Sequence, residues 1–219
     1  MNKFLTIYLF NKKQNSVLIL LAILSLVLML LRVKITHDIY LLFLIWNLFL
    51  GYIPYFFSSK LKNTVPGYFC FYLLFLGWLL FLPNAFYLVT DFIHLHYSTS
   101  FQYLFDAILL TSFTLAGFYA GIASLFHIHQ LLQMKYSDQK SKLIIIFICY
   151  LSGFGVYLGR ILRFNSWDII RHPIDLINGL LESFKNLEAQ LFTAILGTFI
   201  VLVYSIYFSS LNQKQLSSW

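Results

Sequence analysis

The sequence predicts an all-α fold: a polytopic membrane helix bundle of about six transmembrane helices plus one interfacial amphipathic helix. Three observations carry that expectation. Of the 219 residues, 60% are hydrophobic and only 11% are charged, whereas a soluble domain needs about 25% charged residues to cover its surface. The apolar residues gather into runs close to the roughly 20 residues that a helix needs to cross a bilayer. One further stretch, between the last two runs, is too short to cross and instead carries its apolar residues on one helical face.

The first span is read at residues 16–31, an aliphatic run that follows Lys3, Lys12 and Lys13 and ends at Arg32 and Lys34. A basic lead before an apolar core also fits a signal peptide. No small-x-small site precedes Arg32, however, and more spans follow, so a retained helix is expected. The second span, 39–57, has Trp46-Asn47 near its middle and Pro54 near its end. The third, 67–87, passes Trp78 and closes in Leu82-Pro83-Asn84-Ala85, after which the chain is expected to leave lipid through Thr90-Asp91 and His94-Leu95-His96. The fourth, 103–125, carries Asp106 one turn inside its start and is followed by His127, His129 and Lys135.

The fifth and sixth spans are read at 143–162 and 191–208. Between them, residues 173–185 place Ile174, Ile177, Leu180, Leu181 and Phe184 on one face, with Asp175, Asn178, Glu182 and Lys185 elsewhere. That segment is expected to lie flat in the interface, with Pro173 at its first helical position. No repeat, linker or low-complexity tract appears, so residues 1–219 are read as a single transmembrane domain.

The formal charge is +7, from 15 Lys+Arg against 8 Asp+Glu. The basic residues sit at the ends of apolar runs, which fits anionic headgroups and the positive-inside bias and argues against nucleic acid as a partner. With both termini in the cytoplasm, nine Lys and Arg fall inside and six outside, four of the latter being Arg160, Arg163, Arg171 and Lys185. The expected location is the plasma membrane, and the partner throughout is the lipid bilayer. Cys70 and Cys149 lie within apolar runs without a CxxC partner, and are read as inert thiols.

This orientation puts His37, Asp38, Asp91, His94, His96, Asp106, Arg160, Arg163, Asp168, Arg171, His172 and Asp175 on one outer rim. The stretch from Gly159 to Asp168 concentrates Arg160, Arg163, Asn165, Trp167 and Asp168 at the end of a span. On a continuing helix Arg160 and Arg163 share a face, so they form a guanidinium fork for a phosphate or carboxylate, pair internally with Asp91, Asp106 or Asp168, or snorkel to headgroups. A charge at membrane depth costs about 2.5–3.5 kcal/mol unpaired, so Asp106 is expected to meet Arg160 or Arg163. Asp91, Asp106 and Asp168 are the candidate acid–base groups; Arg160, Arg163, Asn84, Asn165, Trp167 and His94 are the candidate ligand-binding residues.

Asp91-x-x-His94-x-His96 offers three neighbouring metal-binding groups without a distant fourth, and His127-x-His129 diverge by about 200° on a helix, so neither a metal nor a cofactor is expected. Gly117-x-x-x-Gly121 and Gly155-x-x-x-Gly159 are faces for close helix packing, in the bundle or in a homo- or hetero-oligomer. No phosphate-binding loop, nucleophile elbow or HExxH signature appears.

Three patterns together resemble one family: Trp46-Asn47, Leu82-Pro83-Asn84-Ala85-x-Tyr87-x-x-Thr90-Asp91, and Gly159-Arg160-x-x-Arg163-x-Asn165-Ser166-Trp167-Asp168. On them the chain is identified as resembling the bacterial integral-membrane proteins grouped as domain of unknown function 1361. The resemblance implies a polytopic membrane protein and no particular activity. The residues themselves favour an outer-side polar site that binds or processes an anionic lipid or lipid-linked headgroup. The alternatives are a non-catalytic assembly or scaffold subunit and a small-solute transporter.

Overall fold

The structure, a computed structural model, describes residues 3–64, 66–98, 102–164, 168–171 and 173–216. Helix α1 is Lys3–Thr36. A 3₁₀ turn at Tyr40–Leu42 leads into α2, Phe43–Leu61, and α3 follows at Phe69–Tyr87. A 3₁₀ segment, Leu88–Tyr97, continues α3. Then come α4, Tyr103–Lys135, and α5, Asp138–Arg160. The short α6, Asp168–Arg171, and the amphipathic α7, Pro173–Lys185, precede α8, Leu187–Leu216. Among the described residues six helical stretches are long and apolar enough to cross a membrane: Lys12–Thr36, Tyr40–Leu61, Phe69–Tyr97, Tyr103–Lys135, Asp138–Arg160 and Leu187–Leu211. The chain is thus an all-helical, multi-pass membrane protein, and helices are its solution because lipid offers backbone groups no hydrogen-bond partner.

The stripe read at 173–185 becomes α7 with the same bounds, starting on Pro173. Other bounds move outward. The fourth span continues past Leu125 to Lys135, because His127 and His129 are buried and hydrogen-bonded rather than facing water. They point to different neighbours: His127 meets Ser58 of α2 and Gln14 of α1, while His129 meets Tyr204 of α8. The third span likewise runs on into the 3₁₀ segment instead of leaving the bundle at Thr90.

Helix α4 is the axis, packing on α1, α2, α3, α5 and α8. Around it Met29, Leu44, Leu48, Leu109 and Phe113 form one apolar cluster with α1 and α2. Trp78, Leu82, Phe86, Ile122, Val156 and Ile200 form another with α3, α5 and α8. The opposite faces stay apolar and uncovered, as at Leu20, Leu30 and Ile195, which suits contact with lipid tails.

Small residues set the closest approaches. A Cβ on Gly121 would meet the Phe86 ring at 2.8 Å and the Ala85 methyl at 2.9 Å, and one on Gly155 would meet Pro83 Cγ at 2.5 Å. The glycine faces of α4 and α5 are therefore filled by α3 from within the chain. A second close approach joins α5 to α8: a Cβ on Gly153 would stand 3.0 Å from the backbone of Gly197.

Candidate functional site

Two buried ion-pair clusters lie at the rim where α1, α3 and α5 end. The first is assembled by three elements. Asp91 sits on the 3₁₀ segment, only 1% exposed, and forms a salt bridge with Arg160, the last residue of α5. Asn47 of α2 donates from Nδ2 to the other Asp91 oxygen at 3.0 Å. Arg160 also donates from Nε to the Thr90 hydroxyl at 2.7 Å, and its guanidinium lies 4.3 Å from the centre of the Tyr87 ring. Thr90 in turn donates to the Tyr87 carbonyl at 2.6 Å. Both Asp91 oxygens are thus satisfied, and the Arg160 charge is met by an ion pair and an aromatic face. As a cation in the last turn, Arg160 also complements the α5 dipole.

The second cluster centres on Arg32 at the end of α1, 3% exposed. Its Nε lies 3.2 Å from Asp106 Oδ1, which is 1% exposed, and its Nη2 lies 2.9 Å from Asp38 Oδ2. Nη1 donates to the Asp38 carbonyl at 2.8 Å. Ser98 donates its hydroxyl to the second Asp106 oxygen at 2.6 Å. The chain folds back from α1 through His37, which holds a left-handed φ of 53°, and this turn carries Asp38 over Arg32. The backbone N–H of Tyr40 holds the Asp38 carboxyl below its ordinary value; burial opposes this slightly, and Arg32 adds to the lowering.

His94 joins the two clusters. Its Nδ1 lies 2.9 Å from the Tyr40 hydroxyl, its ring is 4.7 Å from that of Phe43, and it feels the charges of Asp91 and Arg160. Beside it a pocket of about 430 Å³ opens between α1, the 3₁₀ segment and α4, lined by Arg32, Asp38, Tyr40, His94, Ser98 and Asp106 among others. Its wall carries one guanidinium against two carboxylates, so it favours hydroxyl and ammonium donors over a bare anion.

Several expectations from the sequence land elsewhere. Asp106 meets Arg32 of α1, not Arg160 or Arg163, because Arg160 turns towards Asp91. Arg163 does not extend the helical face of Arg160: α5 ends at Arg160, Arg163 takes a left-handed φ of 60°, and the Phe164 N–H folds back on the Leu158 carbonyl at 3.1 Å. Arg163 is exposed, although its charge still reaches the Tyr87 hydroxyl. Asn84 is half-buried and donates to the Phe81 carbonyl of its own helix at 3.1 Å. Asp168, half-buried at the start of α6, also has a partner. Asn165, Ser166, Trp167 and His172 lie outside the described residues. Among the described residues no three His, Cys, Asp or Glu side chains converge in a metal-sized group.

Sequence reading put Asp38 on the outer rim without a role, and gave none to Arg32, Tyr40 or Ser98. Arg32 looked like an ordinary topological charge at a span end, and only the α1–α4 contact makes it the partner of Asp106.

A family model described as a protein of unknown function matches residues 46–204. No curated protein and no solved structure matches the chain. The Asn47–Tyr87–Thr90–Asp91–Arg160 cluster falls wholly within the matched residues, whereas Arg32 and Asp38 precede them.

Proposed function

The chain belongs to the DUF1361 family of proteins of unknown function, and from that premise we propose that it binds an anionic lipid-linked headgroup at the rim holding Asp91, Asp106, Arg32 and Arg160. The observation that carries this reading is the pocket of about 430 Å³, whose polar wall lies at a helix-bundle rim and not in the apolar middle. The two buried ion pairs hold the rim rigid, and Asp38, Tyr40 and Ser98, each already bonded within the rim, keep spare oxygen lone pairs for hydroxyl or ammonium donors. Exposed Arg163 supplies a guanidinium for the phosphate or carboxylate of the same headgroup. Helix α7, whose Ile174, Ile177, Leu181 and Phe184 are uncovered, lies in the interface beside α8.

In the membrane we place this rim outside the cell and both termini in the cytoplasm of a plasma-membrane protein, because Lys60, Lys62, Lys135, Lys140 and Lys142 gather at the opposite ends of the helices. A transporter reading is weaker, since Asn47 and Asn84 are taken up by Asp91 and by the Phe81 carbonyl instead of lining a file. A scaffold reading loses its glycine faces to α3.

The test is lipid retention by the purified protein, read by native mass spectrometry with phosphatidylglycerol and phosphatidylcholine. Wild type should prefer the glycerol headgroup, Arg163→Gln should lose the preference for the anion, and Ser98→Ala should weaken retention of the glycerol. Identical lipid complements in all three proteins would sink the reading.

A further inference from the structure

At the opposite rim α4, α5 and α8 enclose a second pocket of about 440 Å³, unrelated to the ion pairs. Its walls are mostly apolar: Ile145, Ile146 and Cys149 of α5 face Val201, Tyr204 and Phe208 of α8. Lys142, half exposed and 2.5 Å from Asp138, adds an ammonium group towards the lysine-rich end. His129 of α4 also lines the pocket, only 1% exposed. Its ring stacks on Phe208 at 4.7 Å, and its Nδ1 lies 2.6 Å from the Tyr204 hydroxyl.

The other ring nitrogen, Nε2, is buried without a hydrogen-bond partner among the described residues. Tyr204 is itself buried. Were its hydroxyl to accept from Nδ1, its own proton would have no acceptor among the described residues. The hydroxyl therefore donates to Nδ1, and the proton of the neutral imidazole sits on Nε2. A buried N–H beside an apolar cavity is an unmet donor, and native structures keep such groups where something else supplies the acceptor.

We propose that this pocket binds the acyl-ester region of an anionic lipid. Nε2 is covered in this structure, so a small shift of the His129 ring admits the ester carbonyl to Nε2–H; the acyl chain runs along Ile146 and Val201, and the phosphate faces the Lys142 ammonium. The chemistry follows from the site: a carbonyl is the acceptor an amphiphile carries between its charged head and its apolar tail. That is also the order of Lys142, His129 and the aliphatic wall.

Full-length protein in detergent is titrated with dioleoyl phosphatidylglycerol and with its dialkyl-ether analogue, which lacks the carbonyl, and retained lipid is counted by native mass spectrometry. Wild type should retain the ester lipid about fivefold over the ether, the factor one hydrogen bond supplies. His129→Phe should retain both equally. In the Arg163→Gln background, Lys142→Gln should keep the ester preference but lose that for phosphatidylglycerol over uncharged diacylglycerol. Arg163→Gln should leave the ester preference in place, which separates this site from the one at the other rim. If His129→Phe does not fold, the Nε2 resonance of ¹⁵N-histidine-labelled wild type should move with the ester and not with the ether. Equal retention of ester and ether by wild type, an ester preference that survives His129→Phe or vanishes in Arg163→Gln, an Arg163→Gln, Lys142→Gln double variant that still discriminates charge, or an Nε2 resonance indifferent to both lipids overturns the proposal.

Discussion

Arg32 and Asp106 are each almost wholly buried; Arg32 is the counter-charge of Asp106 and is shared with the more exposed Asp38. Removing one partner of such a pair leaves a charge uncompensated and costs about 3–5 kcal/mol, whereas removing both together costs far less. Arg32→Gln should therefore lower the thermal midpoint in detergent strongly, and Arg32→Gln with Asp106→Asn should recover a good part of the loss. A double mutant no better than the singles would mean that the pair does not act as a unit. Asp38, the outer member of the cluster, gives a pH dependence. Its folded-state pKa lies below the ordinary 3.8, so its contribution is fully present above that value and is lost as pH falls below it. Asp38→Asn should flatten that acid limb in a scan of unfolding midpoint against pH, leaving stability at neutral pH to depend on the Arg32–Asp106 pair. Sequence could mark Asp106 as needing a cation, because a carboxylate inside an apolar run has few other options. It could not name Arg32, which lies 74 positions away.

At the scale of elements, spacing did well wherever the signal was local. The stripe of α7 and its Pro173 start are written in thirteen consecutive residues. The length of α4 is not, because whether His127 and His129 end a helix depends on Ser58, Gln14 and Tyr204, which come from three other helices. The glycine spacings announced close packing without naming a partner; the structure supplies α3 for Gly121 and Gly155, and α8 for Gly153. Gly121→Leu should destabilise by about 1–3 kcal/mol through overpacking against Phe86 and Ala85, measured as loss of monodisperse protein on heating in detergent. The same substitution at Gly67, which has open space around it but a left-handed φ of 99°, would act through backbone strain instead.

Over the whole molecule, the ion pairs and the buried histidines gather at two levels, with Leu48, Phe113 and Leu82 among the apolar residues between them. One level holds Asp91, Asp106, Arg32 and Arg160; the other holds Gln14, His127 and His129 with their partners Ser58, Tyr207 and Tyr204. A small multi-pass bundle built this way can engage a headgroup at either face without opening a water path between them. Orientation is testable directly: alkaline phosphatase fused after Leu95 should be active and green fluorescent protein fused there dark, with the reverse after Tyr136. The opposite pattern would turn both proposed sites over and put the 430 Å³ pocket in the cytoplasm.

Composition and hydrophobic runs alone determined the class of this protein, its six membrane-length helices and its amphipathic α7. Those features follow from the free energy of moving residues between water and lipid, which each residue settles largely with its own side chain and near neighbours. Tertiary structure decided which charge answers which: Arg32 with Asp106, Arg160 with Asp91, and His129 with Tyr204. Such pairings join residues distant in sequence, and their energies depend on distance and burial that only packing of the six helices sets.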